Sequence, residues 1–137
     1  MMLPPRKTAA ALRSILYIED DTDIQSIASL ALQSIGGFAV TICSSGPEAL
    51  AAINSGNRPD LILLDVMMPE MDGPSTLSAL RALTSTASTP TIFMTAKAQP
   101  HEIAYLISLG ALDVIAKPFD PMLLAHKIKE LWSKNNA

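Results

Sequence analysis

Cysteine is almost missing from this sequence. Cys43 is the only one in 137 residues, which excludes a disulfide framework and a zinc site built on paired thiolates. It falls in an apolar strand pattern and reads as a buried structural thiol. Aromatic residues are scarce, 4% of the chain against 49% hydrophobic residues, so the core must be aliphatic. There is no excess of positive charge: 10 basic side chains stand against 13 acidic ones, a net charge of −3. A nucleic-acid surface, normally a basic stripe, is therefore not expected. No apolar run approaches the ~18 residues that a membrane span needs, and positions 1–13 lack the apolar stretch of a signal peptide. The expectation is a cytoplasmic chain with one domain at 14–132, a flexible arm at 1–13 and a frayed tail at 133–137.

What is present centres on Leu61-Ile62-Leu63-Leu64-Asp65, followed by Val-Met67-Met68-Pro69-Glu-Met71-Asp-Gly73. Four aliphatic residues in a row predict a strand buried on both faces, as in a parallel sheet. Ser14–Ile18, Phe38–Cys43, Thr91–Met94 and Leu112–Ala116 read as four more strands. Helix spacing lies between them. Ile24, Ile27, Ala28, Ala31 and Ile35 share one face of a helix over 22–35, capped by Asp21 or Thr22 and stopped by Gly36-Gly37. Shorter helices follow Pro47 and Pro74. Ile103, Leu106 and Ile107 mark a fourth helix after Pro100. Asp120-Pro121 starts a fifth, with Leu124, Ile128 and Leu131 inward. Five strands alternating with five helices imply a doubly wound α/β fold, a parallel sheet with helices on both faces.

In such sheets chemistry gathers beyond the carboxyl ends of the strands. Those ends carry Glu19-Asp20, Asp65, Thr95 and Lys117. Three carboxylates brought together repel one another unless a cation intervenes. All-oxygen ligands favour Mg2+, which typically takes one or two carboxylates, waters and a phosphoryl oxygen. Lys117 can then pair with a second phosphoryl oxygen and Thr95 can donate to a third. The set suits phosphoryl transfer, with Asp65 as the nucleophile.

Four segments in order, Ile-Leu-Tyr-Ile-Glu19-Asp20-Asp21, Leu-Leu-Asp65 through Gly73, Met94-Thr95-Ala96 and Gly110 through Lys117-Pro-Phe119, give a chain that resembles the receiver domain of bacterial two-component response regulators. The resemblance runs from about Ser14 to Leu131. It implies the flavodoxin-like strand order 2-1-3-4-5. It also implies a phosphorelay role, with Asp65 accepting a phosphoryl group from a histidine kinase or histidine phosphotransfer protein and the receiver then switching an unknown downstream target. Asp20, Asp65 and the backbone carbonyl of Met67 would hold Mg2+, with Glu19 acting through a water. Thr95 and Lys117 would be the switch hydroxyl and the phosphate-sensing lysine. Lys117–Pro118 would be cis, and the face formed by helix four, strand five and helix five would take a target or a second copy. Such a protein is a phosphoacceptor with self-catalysed phosphorylation and dephosphorylation, not an enzyme with an external substrate.

One position departs from the family pattern. Three residues before the lysine the family commonly has Tyr or Phe, and here it is Val114. A valine cannot sweep the arc of an aromatic ring, so a smaller or different activating motion is expected. Met67 and Lys97 flank the path of attacking water. Met67 cannot orient it, so the phosphoryl group should not be short-lived. His101 and His126 read as surface residues, and Trp132 as half-exposed packing. A dehalogenase-like phosphatase would need a second Asp two residues after Asp65, where Met67 stands. A flavodoxin-like nucleotide binder would need a phosphate cradle where Glu19-Asp20-Asp21 would repel one. The remaining alternative is a receiver-fold interaction module that works without phosphorylation. Both a stand-alone receiver and a piece of a larger regulator or hybrid kinase stay open.

Overall fold

Leu61, Ile62, Leu63 and Leu64 are each 0% exposed in the computed structural model, which describes residues 11–136. Each contributes about 1.5–3 kcal/mol by leaving water, so this strand can lie only at the centre of the molecule. It is β3 (Leu61–Asp65), flanked by β1 (Ser14–Ile18) and β4 (Thr91–Thr95), with β2 (Ala39–Cys43) and β5 (Asp113–Ala116) at the edges. All pairings are parallel and the order is 2-1-3-4-5, as expected.

Successive strand residues point to opposite faces of the sheet, and two cores follow. Ile15, Tyr17, Leu61, Leu63, Ile92 and Met94 face α1 (Thr22–Leu30) and α5 (Leu124–Asn136). Leu16, Ile18, Ile62, Leu64 and Phe93 face α2 (Gly46–Asn54), α3 (Gly73–Arg81) and α4 (Pro100–Ser108). Cys43 is buried as expected, and burial pushes its thiol up to about 11, out of reactive range.

Several local expectations need correction. Helix α1 ends at Leu30, and Ala31–Ile35 continues as a π turn in which the Gly36 N–H reaches back to Ala31 O. The wider turn carries Leu32 to full burial and leaves Ile35 48% exposed. Ile27, also expected inward, is 49% exposed, while Ala28 and Ala31 are the residues of that face that are buried. On α4 only Leu106 is fully buried, while Ile107 is 42% exposed. Helix α5 begins at Leu124, after a turn in which the Asp120 carboxylate accepts from the Met122 N–H. It runs past Trp132 to Asn136. The arm expected at 1–13 falls mostly outside the described residues. Its last residues are anchored: Leu12 packs against the core and Arg13 O accepts from the Ala39 N–H.

The loop after β3 turns sharply, and Gly73 permits it. A Cβ there would stand 2.5 Å from Asp65 O and 2.8 Å from Val66 Cα, both rigid backbone. The Gly73 N–H also donates to Val66 O at 2.8 Å, so the start of α3 is tied to the end of β3. Gly73→Ala is expected to cost roughly 1–3 kcal/mol by overpacking, read as a lower urea midpoint at unchanged slope.

Candidate functional site

Strand register brings the chemistry together. Ile18 pairs with Leu64 and Asp65 with Met94, so Glu19 and Asp65 leave the sheet side by side, on the face that Tyr17 and Leu63 share. Glu19 is 1% and Asp65 4% exposed, whereas Asp20 is exposed at the rim. One carboxylate oxygen from each of Glu19, Asp20 and Asp65 lies within 4.8 Å of the others. Lys117 enters from the end of β5. Its Nζ donates to Glu19 Oε1 at 2.5 Å and to Asp65 Oδ1 at 2.8 Å. The Lys117–Pro118 bond is cis, as the resemblance implied. A cleft of about 250 Å3 opens over this group, lined by Glu19, Asp20, Asp65, Met67, Thr95 and Lys117 among others.

Every residue expected at the site therefore borders one cleft. Thr95 is 2% exposed, and its Oγ1 accepts from the Lys97 N–H at 3.0 Å, so its proton is free to be donated. Met67 contributes from the loop after β3 with its side chain 60% exposed. That loop holds Glu70 at φ 67°, a left-handed conformation uncommon outside glycine. Asp21 caps α1, accepting from the N–H groups of Asp23 and Ile24, and stays off the Lys117 pairing.

Two participants escaped the sequence reading. Gln25 Nε2 donates to Glu19 O and to Ser44 Oγ, bracing the loop after β1 against the loop after β2. A helix glutamine carries no signal of this in the sequence. Tyr17 is fully buried beneath Glu19, and its hydroxyl has no hydrogen-bond partner. Such a group costs about 1–3 kcal/mol.

The electrostatics follow from a shortage of cations. Burial pushes the Glu19 and Asp65 carboxyls above the ordinary range; Lys117 opposes the rise at both, while Asp65 adds to it at Glu19 and Asp20 adds to it at Asp65. Burial alone would lower the Lys117 pKa, but Asp65 and Glu19 outweigh it and the ammonium is held charged. The directions are consistent: one lysine is well satisfied, and the carboxylates that share it are not. All donors at the cluster are oxygens, which fits a hard divalent cation and not a soft one.

Residues 15–129 match the family profile described as the response regulator receiver domain. The chain belongs to that family. It is 37% identical over 115 residues to the transcriptional regulatory protein CseB of Streptomyces avermitilis, covering 84% of this chain and 47% of that protein. It is 33% identical over 120 residues to the response regulator SaeR of Staphylococcus aureus, covering 88% of this chain and 50% of SaeR. The receiver thus spans about half the length of these relatives. Among solved structures, the chemotaxis protein CheY4 of Vibrio cholerae superposes with a TM-score of 0.80 at 30% identity, covering 88% of this chain and 99% of that one. The receiver domain of a signal transduction histidine kinase from Syntrophus aciditrophicus gives 0.75 at 32% identity, with 89% and 91% covered. Among the described residues no helix is long and apolar enough to cross a membrane.

A raised carboxyl pKa has a sign in stability. The folded receiver holds protons that the unfolded chain has released, so its stability falls as pH rises through the window just above the ordinary carboxylate value of about 3.9. Asp65→Asn is expected to raise the melting temperature at pH 7. Its advantage should shrink as pH drops into that window, where the wild-type carboxyl protonates and sheds the same repulsion. Thermal melts of both proteins from pH 3.5 to 7.5 measure this.

Proposed function

We propose that this receiver accepts a phosphoryl group on Asp65 from the phosphohistidine of a histidine kinase or phosphotransfer protein, and passes the change on as altered partner binding. The observation that carries the reading is the bridging of Glu19 and Asp65 by Lys117 in one cleft with Asp20 and Thr95. A free Asp65 oxygen attacks phosphorus. The new P–O bond forms as the P–N bond to the donor imidazole breaks, and the imidazole leaves with the electron pair. Glu19, Asp20, Asp65 and the Met67 carbonyl would hold Mg2+, which when bound neutralises the phosphoryl oxygens. Lys117 turns from the carboxylates to a phosphoryl oxygen, and the Thr95 hydroxyl donates to another. The protein promotes its own phosphorylation and a slow dephosphorylation, with no external substrate turned over. The Met67 side chain is apolar and cannot guide water, in keeping with a persistent phosphoryl group. An ATP-fed kinase as donor implies work in the cytoplasm.

The donor must reach Asp65 past the β1–α1 and β5–α5 segments. There Ile24, Ile27, Lys117, Pro118, Phe119 and Pro121 line a groove of about 170 Å3. Ile27 and Leu30 on α1, and Met122 and Leu123 in the turn before α5, are 49%, 65%, 68% and 58% exposed. Lys117 borders both this groove and the acidic cleft, which makes the apolar surface continuous with the site. We assign it to the histidine-bearing helix of the donor. The output face is then the other one, α4–β5–α5, where Tyr105 and Leu109 are exposed and Val114 is buried without an aromatic ring to swing.

The test of the function is intact mass after incubation with a small-molecule phosphodonor, with and without Mg2+. One Mg2+-dependent phosphoryl adduct, absent from Asp65→Asn, is expected. A folded protein that takes no adduct from this donor or from any phosphohistidine protein would instead be an interaction module working without phosphorylation. Ile27→Asp is expected to slow transfer from the cognate histidine donor by about tenfold or more, the loss of one well-packed apolar anchor. Its labelling by the small-molecule donor should stay at the wild-type rate, and a matched loss in both assays would remove the donor assignment.

A further inference from the structure

Among the described residues two buried side-chain oxygens lack a hydrogen-bond partner, Tyr17 Oη and Ser29 Oγ. Ser29 lies within helix α1, away from the strand-end carboxylates. Tyr17 lies beneath the phosphoacceptor. Strand alternation puts it on the same sheet face as Glu19, two residues on. Its neighbour across the sheet is Leu63, two residues before Asp65 on that same face. The phenol therefore stands one step below both carboxylates. Glu19 and Asp65 are close enough to raise its pKa beyond what burial does, and it stays a proton donor throughout. The Glu19 carboxylate already interacts with the hydroxyl, though the contact falls short of a well-formed hydrogen bond.

Glu19 has its own difficulty. Its Oε1 accepts from Lys117 and its Oε2 accepts a long 3.3 Å bond from the Asp21 N–H. If Asp65 carries a phosphoryl group, Lys117 is drawn to it, and Oε1 loses its donor at a position 1% exposed to solvent. Mg2+, when bound, would take up part of the Glu19 charge, but the hydrogen bond that the ammonium made to Oε1 still has to be replaced. An uncommitted donor waits beside it. We propose that Tyr17 is a positioning residue for phosphoryl transfer: its hydroxyl donates to Glu19 when Lys117 turns to the phosphoryl group. The inference rests on the reading of Asp65 as phosphoacceptor. Tyr17 then keeps Glu19 oriented and makes Lys117 cheaper to release, which favours the phosphorylated state.

The experiment is Tyr17→Phe in the full chain, with beryllofluoride and Mg2+ as a stable phosphoryl mimic. Phenylalanine fills the same space and removes a hydroxyl that the free protein leaves unpaired, so the ligand-free variant should melt at or above the wild-type temperature. Its affinity for beryllofluoride should fall about tenfold, the worth of one hydrogen bond to a charged group. A structural role would weaken both states alike. A second readout is direct. Tyr105→Phe leaves Tyr17 as the sole tyrosine, and its ring-carbon resonance in the labelled protein should shift on loading as the hydroxyl begins to donate. Tyr17→Phe binding the mimic as tightly as wild type, or losing stability equally with and without it, overturns the inference alone. Wild type failing to bind the mimic overturns the phosphoacceptor reading and this inference with it.

Discussion

The ammonium of Lys117 bridging two buried carboxylates is the constraint on which the rest of the site depends. Glu19 and Asp65 are almost fully enclosed, and removing two such charges from water without compensation is prohibitive. Lys117 makes the arrangement tolerable, but a single positive charge divided between two acids, with Asp20 at the rim, leaves negative charge in surplus. Burial is the main cause of the raised carboxyl pKa values, and that surplus adds to it. A site left short of cations is ready for a divalent metal, and a lysine shared between acids can be redirected to an arriving group. On the proposed reading, phosphorylation exploits a tension already present in the resting protein.

The fold supplies that tension by geometry. Parallel pairing brings the carboxyl ends of β1, β3, β4 and β5 to one edge, and the register sets Glu19 against Asp65 and not against an aliphatic residue. A one-residue slip of β3 would send Asp65 to the other sheet face and expose none of the aliphatic run. Gly73 and the Asp72 cap, which accepts from the Ser75 N–H, then fold the loop after β3 back upon the strand end. Glu19 and Asp65 are held by rigid backbone in a buried setting, so the adjustable parts are the long side chains of Lys117 and Met67.

How much of this was legible in the sequence depends on how local its cause was. The five strands, their parallel arrangement and the site carboxylates could be read because each depends on a run of a few residues: an aliphatic stretch, a terminal acid, a turn proline or glycine. The faces of α1 and α4 were misread at Ile27, Ile35 and Ile107. Periodicity reports which side of a helix is apolar but not how wide a stripe the sheet covers, and the π turn after Leu30 rotates the last residues off the pattern. Gln25 and Tyr17 were invisible for another reason. Their roles come from where a polar tip ends up, Gln25 across to Ser44 and Tyr17 under Glu19, and no spacing rule encodes that.

The exposed Ile27 on α1 acquires a meaning from its neighbours. An apolar side chain left in water by periodicity alone would be unremarkable, but Ile27 shares a groove with Lys117, and Lys117 also forms a wall of the acidic cleft. A partner seated on that groove would bury apolar surface against the residue whose charge, on the proposed reading, moves during transfer. Docking and chemistry then share one side chain. Thr95 has the matching position on the opposite side. It borders the acidic cleft and also a groove of about 280 Å3 between Met67 and the α4 residues His101 and Tyr105. A displacement of Thr95 toward a phosphoryl group would change the wall of that second groove. Val114, buried and short, has no ring to follow it inward. On the proposed reading, input would enter by Lys117 and output leave by Thr95, with the signal carried by the groove wall and the placement of α4 in place of an aromatic swing on β5.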